Sequence, residues 1–239
     1  MKLILGQIGD IGSNWISVDS HSGAHYSMLL GENTRFDSFS KYGTIDCIYS
    51  SHMIEHITDK AAQNIFNESY KALREGGVLR ICAPDVMYYV NSYRTKEKRA
   101  FFVDEYGVGS NRTYKEEVML LLGISNENAR PLEPHNLLCC IINSGKYDFE
   151  FDKDIMEQKM DESIDELIKW SISQYDFTST NEHSNGFYAE KVMSMMKEAG
   201  FIKIFEMPFR DSHFEEIKHN PLLDLELRKN NSFYVEAIK

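Results

Sequence analysis

Ser50-Ser51-His52-Met53-Ile54-Glu55-His56, SSHMIEH, is the stretch whose reading decides the fold. It contains HxxEH, a spacing that on a helix lets two histidines bind zinc while the glutamate activates a water. That use needs both histidines on one helical face and a further protein ligand. Ile45 to Tyr49, just ahead, is an apolar run bounded like a strand, so SSHMIEH begins where a strand ends. His52 then falls in a strand-to-helix loop, and zinc hydrolysis ranks last among the readings of this stretch.

Working outward, Ala62, Ile65, Phe66, Tyr70 and Leu73 recur at helical spacing, with Thr58 or Asp59 as caps and Gly76 at the stop. Val78 to Ala83 reads as a strand closed by Pro84-Asp85. Strand, helix, strand in this order is a βαβ unit and implies a parallel sheet. Upstream, Lys2 to Leu5 and Trp15 to Val18 read as buried strands, with Gly6, Gly9 and Gly12 in the loop between them and Asp19 ending the second. Downstream, a helix from about Phe187 to Ala199 stops at Gly200, and strands are expected at Phe201 to Met207 and Phe233 to Ile238.

Between these parts, the residues after Asp85 carry tyrosines, polar residues and helical patterns without clear strand signals. Ile155, Met160, Ile164, Leu167 and Ile168 predict one amphipathic helix there. The expected organisation is a core domain of residues 1–85 and 182–239 around a mainly helical insertion or cap, 86–181, on the acceptor side.

At 239 residues, 42% hydrophobic and 26% charged, the chain fits a globular domain with an insertion. A net charge of −11 argues against a nucleic-acid backbone as partner, which needs clustered Lys and Arg. Cys47, Cys82, Cys139 and Cys140 show no CxxC spacing, and reduced, mostly buried thiols are expected. MKLILGQIG is too short an apolar stretch for a signal peptide, and no run approaches a membrane span, so a cytoplasmic location without membrane attachment is expected.

In open α/β sheets, ligands bind at the carboxyl ends of the strands, near the switch in strand order. That rule gathers the loop from Gly6, Asp19, Ser50 to His56 and Pro84-Asp85 at one crevice. A glycine turn admits a ligand to the backbone, and an acid ending the next strand can accept from ribose hydroxyls. Asp19 comes only 13 residues after Gly6, and the glycines are spaced GxxGxxG, which disfavours a nicotinamide cofactor.

Several segments, in order, resemble the class I S-adenosylmethionine-dependent methyltransferases, and within them a short, type-11-like bacterial branch with a truncated glycine loop. Asn14-Trp15-Ile16-Ser17-Val18-Asp19 is similar to that branch's W-I-N-V-D, and Asp46 to His56 is similar to "D-x-I-Y-S-S-H-x-L-E-H". Tyr70 to Ile81 resembles "L-K-P-G-G-x-L-R-I", while Glu198-Ala199-Gly200-Phe201 and Ser232 to Ala237 are similar to "E-A-G-F" and "S-L-Y-V-E-A". The chain departs from the family in lacking the GxGxG loop, the helix ahead of the first strand and most of the helix after it.

The resemblance implies a Rossmann-like, doubly wound, seven-stranded, mostly parallel sheet with the last strand antiparallel. It implies S-adenosylmethionine over the strand ends, with Gly6 and Gln7 at its methionine part, Asp19 at the ribose, Asp37 near the adenine, and Ser50, Ser51 and His52 on the other side. His56 is the first candidate general base and His52 the second, with Glu55 beside them, because imidazole titrates near neutral pH. Some members hold a divalent cation through ExxEH, and here His52, Glu55 and His56 would be a looser set; a metal-free site is the expectation. His135 and His183 are further acceptor-side candidates, and Tyr88, Tyr89 and Tyr93 are candidate pocket walls.

The expected activity is O-methylation of a small polar acceptor such as a sugar, a nucleotide sugar or a phosphorylated capsule or surface-polysaccharide precursor, with a homodimer as the expected partnering. The alternatives are a catalytically silent binding protein of this fold and, last, the zinc hydrolase.

Overall fold

The computed structural model describes residues 1–6, 14–38, 40–95, 135, 138, 139, 142, 151–174 and 183–239. By contacts the chain divides into two compact units, one made of Met1–Pro84, Phe187–Glu226 and Ser232–Lys239, the other of Asp85–Gly186 and Leu227–Asn231.

The first unit is built on a seven-stranded sheet. Its strands are β1 (Lys2–Leu5), β2 (Trp15–Asp19), β3 (Tyr26–Ser27), β4 (Ile45–Ser51), β5 (Leu73–Pro84), β6 (Lys203–Glu206) and β7 (Ser232–Ile238). They lie in the order β3-β2-β1-β4-β5-β7-β6. β1 to β5 pair parallel, and β7 runs antiparallel to both β5 and β6. This is the doubly wound, Rossmann-like sheet with an antiparallel last strand that the resemblance implied. β3 was not expected from the sequence: its two residues are both exposed and carry no apolar run to signal it.

Helix α1 (Asp59–Ala72) links β4 to β5, and the Thr58 side chain caps it by accepting from the Ala61 N–H. Its apolar stripe, Ala62, Ile65 and Phe66, meets Leu3, Leu5, Ile48, Leu79 and Ile81 in the main core, all fully buried. The helix Ala189–Glu198 packs into the same core through Val192 and Met196, and Gly200, at φ +110°, ends that segment. β6 is the outer edge, and Ile202 just before it is 93% exposed.

The opposite face needs its own cover, because both faces of a parallel sheet are apolar. The connection between β6 and β7 supplies it. Phe214, Ile217 and Leu223 from this excursion pack on Ile4, Trp15, Cys47, Tyr49 and Val78. Glu216 accepts the Trp15 indole N–H at 2.6 Å.

The excursion is fastened by Arg80, fully buried in β5. Its guanidinium forms a two-pronged ion pair with Asp224 and reaches Glu236, its cross-strand partner on β7, at 2.8 Å. It also donates to the Asp211 carbonyl at 2.9 Å and lies over the Tyr234 ring. Tyr49 and the Arg210 N–H donate to Asp224, while Ser212 and the His213 N–H donate to Glu236. Burial would lower the Arg80 pKa, but Asp224 and Glu236 outweigh it and hold the guanidinium firmly charged.

A second anchor shapes the approach to β4. Glu68 of α1, 1% exposed, accepts from the Phe36 N–H at 3.0 Å, Tyr42 at 2.6 Å and Lys71 at 2.9 Å. Burial pushes its carboxyl up, yet these donors together hold it below the ordinary glutamate value of 4.5.

In the second unit, helix Val86–Thr95 is followed by Lys153–Glu162 and Ile164–Ser173. The single helix expected from Ile155 to Ile168 is two helices. Ser163 is extended, at φ −173° and ψ 165°, and its side chain caps the second by accepting from the Glu166 N–H. Tyr88 and Tyr89 meet edge to face, and Tyr93 donates to Glu157 at 2.6 Å, so these rings serve that unit's own packing. Cys47, Cys82 and Cys139 are buried and form no disulfide; Cys140 lies outside the described residues. Among the described residues, no helix is long and apolar enough to cross a membrane.

Two outcomes are expected. Asp224→Ala, which leaves the buried Arg80 with Glu236 as its remaining ion-pair partner, should cost about 3 kcal/mol in urea unfolding; a loss under about 1 kcal/mol would show that the network does not hold the excursion. The Glu68 contribution, fully present above the unfolded glutamate pKa, should be lost as pH falls through the lower folded value. Glu68→Gln should therefore flatten the acid limb of the stability profile, and a wild-type slope in that variant would exclude Glu68 as its source.

Candidate functional site

The strand order turns at β1: β2 and β3 follow on one side, β4 and β5 on the other. The carboxyl ends of β1 and β4 therefore mark the switch point at which such sheets bind ligands. Leu5 pairs with Ser50 and with Val18, which brings Gly6, Asp19 and Ser50-Ser51-His52 to one edge.

Gly6 leaves β1 at φ +72°, with its N–H bonded to the Val18 carbonyl at 2.9 Å. A Cβ at this position would lie 2.2 Å from Met53 Cγ and 2.5 Å from Met53 Cβ. Two constraints, one conformational and one steric, thus keep the position bare. Gln7 lies outside the described residues.

The Asp19 carboxylate, half-buried, accepts the His21 N–H through Oδ1 at 2.8 Å. Its Oδ2 accepts no hydrogen bond from a described residue. The Asp19 carbonyl receives the Met28 N–H at 2.7 Å, so Leu29, 70% exposed, follows β3 along this edge. The sequence reading missed Leu29 because it missed β3.

Ser50 is fully buried at the end of β4, and its Oγ has no hydrogen-bond partner. An orphaned hydroxyl in such a place is costly unless something meets it. Bare backbone at Gly6, the open Oδ2 of Asp19 and the Ser50 hydroxyl are chemically suited to an amino-acid and ribose-bearing ligand.

His52 takes the left-handed conformation, φ +53°, immediately after β4, while its N–H continues the β4–β5 ladder to the Cys82 carbonyl at 2.8 Å. Its Nδ1 lies 3.3 Å from Oε1 of Glu55, which is 2% exposed, and its Nε2 lies 2.9 Å from the Ser232 hydroxyl. Ile54–His56 form a single 3-10 turn, and α1 begins only at Asp59. The two histidines of HxxEH are therefore not on one α-helical face, which removes the geometry of the zinc-hydrolase alternative. His52 Nε2 is engaged by the Ser232 hydroxyl, so a cation bound at that nitrogen would have to displace the bond. His56, half-buried, closes the 3-10 turn.

Asp37 is in the 3-10 turn Phe36–Ser38 and pairs with Arg35 at 2.8 Å, rather than with any of these strand-end residues. His135 and His183 are half-buried residues of the second unit. Ser232 was given no role from sequence: it meets His52 across 180 positions, a separation that no spacing rule spans.

No family model matches the chain, and no curated protein matches it. Among solved structures, it is similar to an S-adenosylmethionine-dependent methyltransferase from Mesorhizobium loti, at 13% identity and a TM-score of 0.44 over 100% of this chain and 90% of that one. It is similar to another from Archaeoglobus fulgidus, at 11% and 0.45 over 100% and 85%. A third, from Thermotoga maritima and described as a possible histamine N-methyltransferase, gives 14% and 0.43 over 100% and 81%. At these identities the likeness is a general one.

Gly6→Ala should lose about 1–2 kcal/mol to the left-handed backbone and about 1–3 kcal/mol more to the overlap with Met53. Gly6→Ala combined with Met53→Gly, which removes both overlapping atoms, should lose less than the sum of the two single losses. Strict additivity of the two losses in this double-mutant cycle would refute the steric account.

Proposed function

We propose that the protein is an S-adenosylmethionine-dependent methyltransferase acting on the oxygen of a small polar acceptor, such as a sugar, a nucleotide sugar or a phosphorylated surface-polysaccharide precursor. The observation that carries this reading is the meeting, at the switch point, of the bare turn at Gly6, the Asp19 carboxylate and the buried Ser50 hydroxyl. A donor of this kind presents complementary groups: an amino-acid moiety for the Gly6 turn and ribose hydroxyls for Asp19. Leu29 offers exposed apolar surface to a nucleobase beside that ribose.

When bound, S-adenosylmethionine supplies an electrophilic methyl group, so much of the rate comes from holding the acceptor in line with it. A hydroxyl acceptor must also lose a proton, and His52 is suited to take it. Glu55, whose Oε1 lies 3.3 Å from its Nδ1, would balance the charge of the imidazolium. His56, the first candidate from the sequence, is the alternative base. In this reading, residues 1–85 and 182–239 form the methyltransferase core, and the insertion 86–181 confers acceptor specificity. The sugar assignment follows the resemblance of the sequence segments, while the −11 charge supports a small acceptor over nucleic acid.

Thermal denaturation with S-adenosylhomocysteine tests the donor. At about 100 times its dissociation constant, the ligand should add roughly 2.7 kcal/mol, on the order of 5–10 °C for a domain of this size. NAD and zinc should give no rise, and Asp19→Ala should remove most of the adenosyl response. No saturable rise with the wild-type protein would favour the catalytically silent alternative.

A further inference from the structure

We infer that His25 is a positioning residue of the donor site: its imidazole clasps the turn after β2 and so fixes the carboxylate of Asp19. The inference rests on the methyltransferase reading above, in which Asp19 holds the ribose.

β2 is supported unevenly on its two edges. β1 pairs with it from Trp15 to Val18, whereas β3 reaches only Val18 and Asp19. The Val18 carbonyl faces β1, where it accepts the Gly6 N–H, and the Asp19 carbonyl faces β3, where it accepts the Met28 N–H. By the same alternation the Ser17 N–H faces the β3 side, just before β3 begins to pair. Ser17 is 2% exposed, and a buried main-chain donor needs a partner.

His25 supplies it. Its Nδ1 accepts the Ser17 N–H at 3.2 Å and lies 2.9 Å from the Ser17 hydroxyl, while the His25 N–H donates to that hydroxyl at 3.0 Å. A backbone N–H can only donate, so Nδ1 keeps its lone pair and the proton of the neutral ring is on Nε2. The imidazole nitrogen thus stands in for the carbonyl that a longer β3 would offer. This surface histidine is bonded through ring and backbone alike to one residue of β2.

The clasp encloses the turn that aims Asp19. Within it, the His21 N–H donates to Asp19 Oδ1 at 2.8 Å, the Gly23 N–H to His21 Nδ1 at 3.0 Å and the Ala24 N–H to the His21 carbonyl at 3.1 Å. Immediately after His25, Tyr26 and Ser27 pair with Val18 and Asp19. β3 has two residues, both exposed, and so little of its own to hold this register. The Ser17–His25 pair closes the ring, and with Oδ1 held by the turn, Oδ2 is the oxygen left for a ribose hydroxyl. Opening the clasp lowers donor affinity by releasing that carboxylate.

The test compares His25→Phe, which keeps a flat ring and removes the acceptor, with His25→Asn, whose Oδ1 restores an acceptor near the place of Nδ1. Calorimetry of S-adenosylhomocysteine with the full chain should show binding weakened on the order of tenfold in His25→Phe and recovered in His25→Asn. In an Asp19→Asn background, His25→Phe should cost less than about twofold, because the clasp acts through the Asp19 carboxylate. An equal loss in both backgrounds, or no loss in His25→Phe, would overturn the positioning role. Two measurements need no ligand. Imidazole nitrogen NMR at about pH 8, above the ordinary imidazole range, should show wild-type His25 as the Nε2–H tautomer. Exchange of the Ser17 amide proton should be slow in wild type and His25→Asn but fast in His25→Phe. An Nδ1–H tautomer, or a Ser17 amide equally protected in all three proteins, would overturn the clasp. Absent binding by the wild type sinks the methyltransferase reading, while the tautomer and the exchange rates decide the clasp by themselves.

Discussion

One guanidinium bears much of the architecture. Arg80 sits in the middle of the sheet with no exposed surface, between Asp224 and Glu236, and its charge has no water to fall back on. Burying an ion this completely is favourable only when every prong has a partner. The sequence between β6 and β7 is organised to provide those partners, from the Asp211 carbonyl to the Ser212 hydroxyl. The arrangement also turns a connecting segment into a structural layer.

That layer answers a general need: a doubly wound sheet must be covered on both faces. α1 and the helix Ala189–Glu198 serve one face. Phe214, Ile217 and Leu223 serve the other, tied down by Arg80 and by the Glu216 contact with Trp15. Apolar contact holds the first face, and a few directional bonds hold the second. The second cover is consequently the more sensitive to loss of any one polar partner.

What was legible in the sequence follows the range of the forces involved. Thr58 and Gly200 act within a few residues and read correctly because caps and turns are local, while β4 runs two residues past its expected end at Tyr49, to Ser51. β3 left no trace, since two exposed residues beside β2 gain their strand character only from the neighbour they pair with. Ser163 was hidden inside a helical pattern whose period survives the break, although Ser163 and Glu166 are themselves a cap signal. The contact of Ser232 with His52 could not be read at all, because the whole fold lies between them. The strand-end residues Gly6, Asp19 and His52 were found through the general rule for open sheets, which depends on topology more than on any one motif.

The contact between Gly6 and Met53 carries a consequence for how such chains diverge. The space that a side chain would occupy at position 6 is filled by the methionine of the neighbouring strand-end turn. Positions 6 and 53 therefore share one volume, and drift at either constrains the other. A descendant that gains a side chain at 6 must first shrink 53 and find a backbone that tolerates the turn. Position 6 and the Met53 of SSHMIEH are then one packing solution, which variation would have to change as a pair.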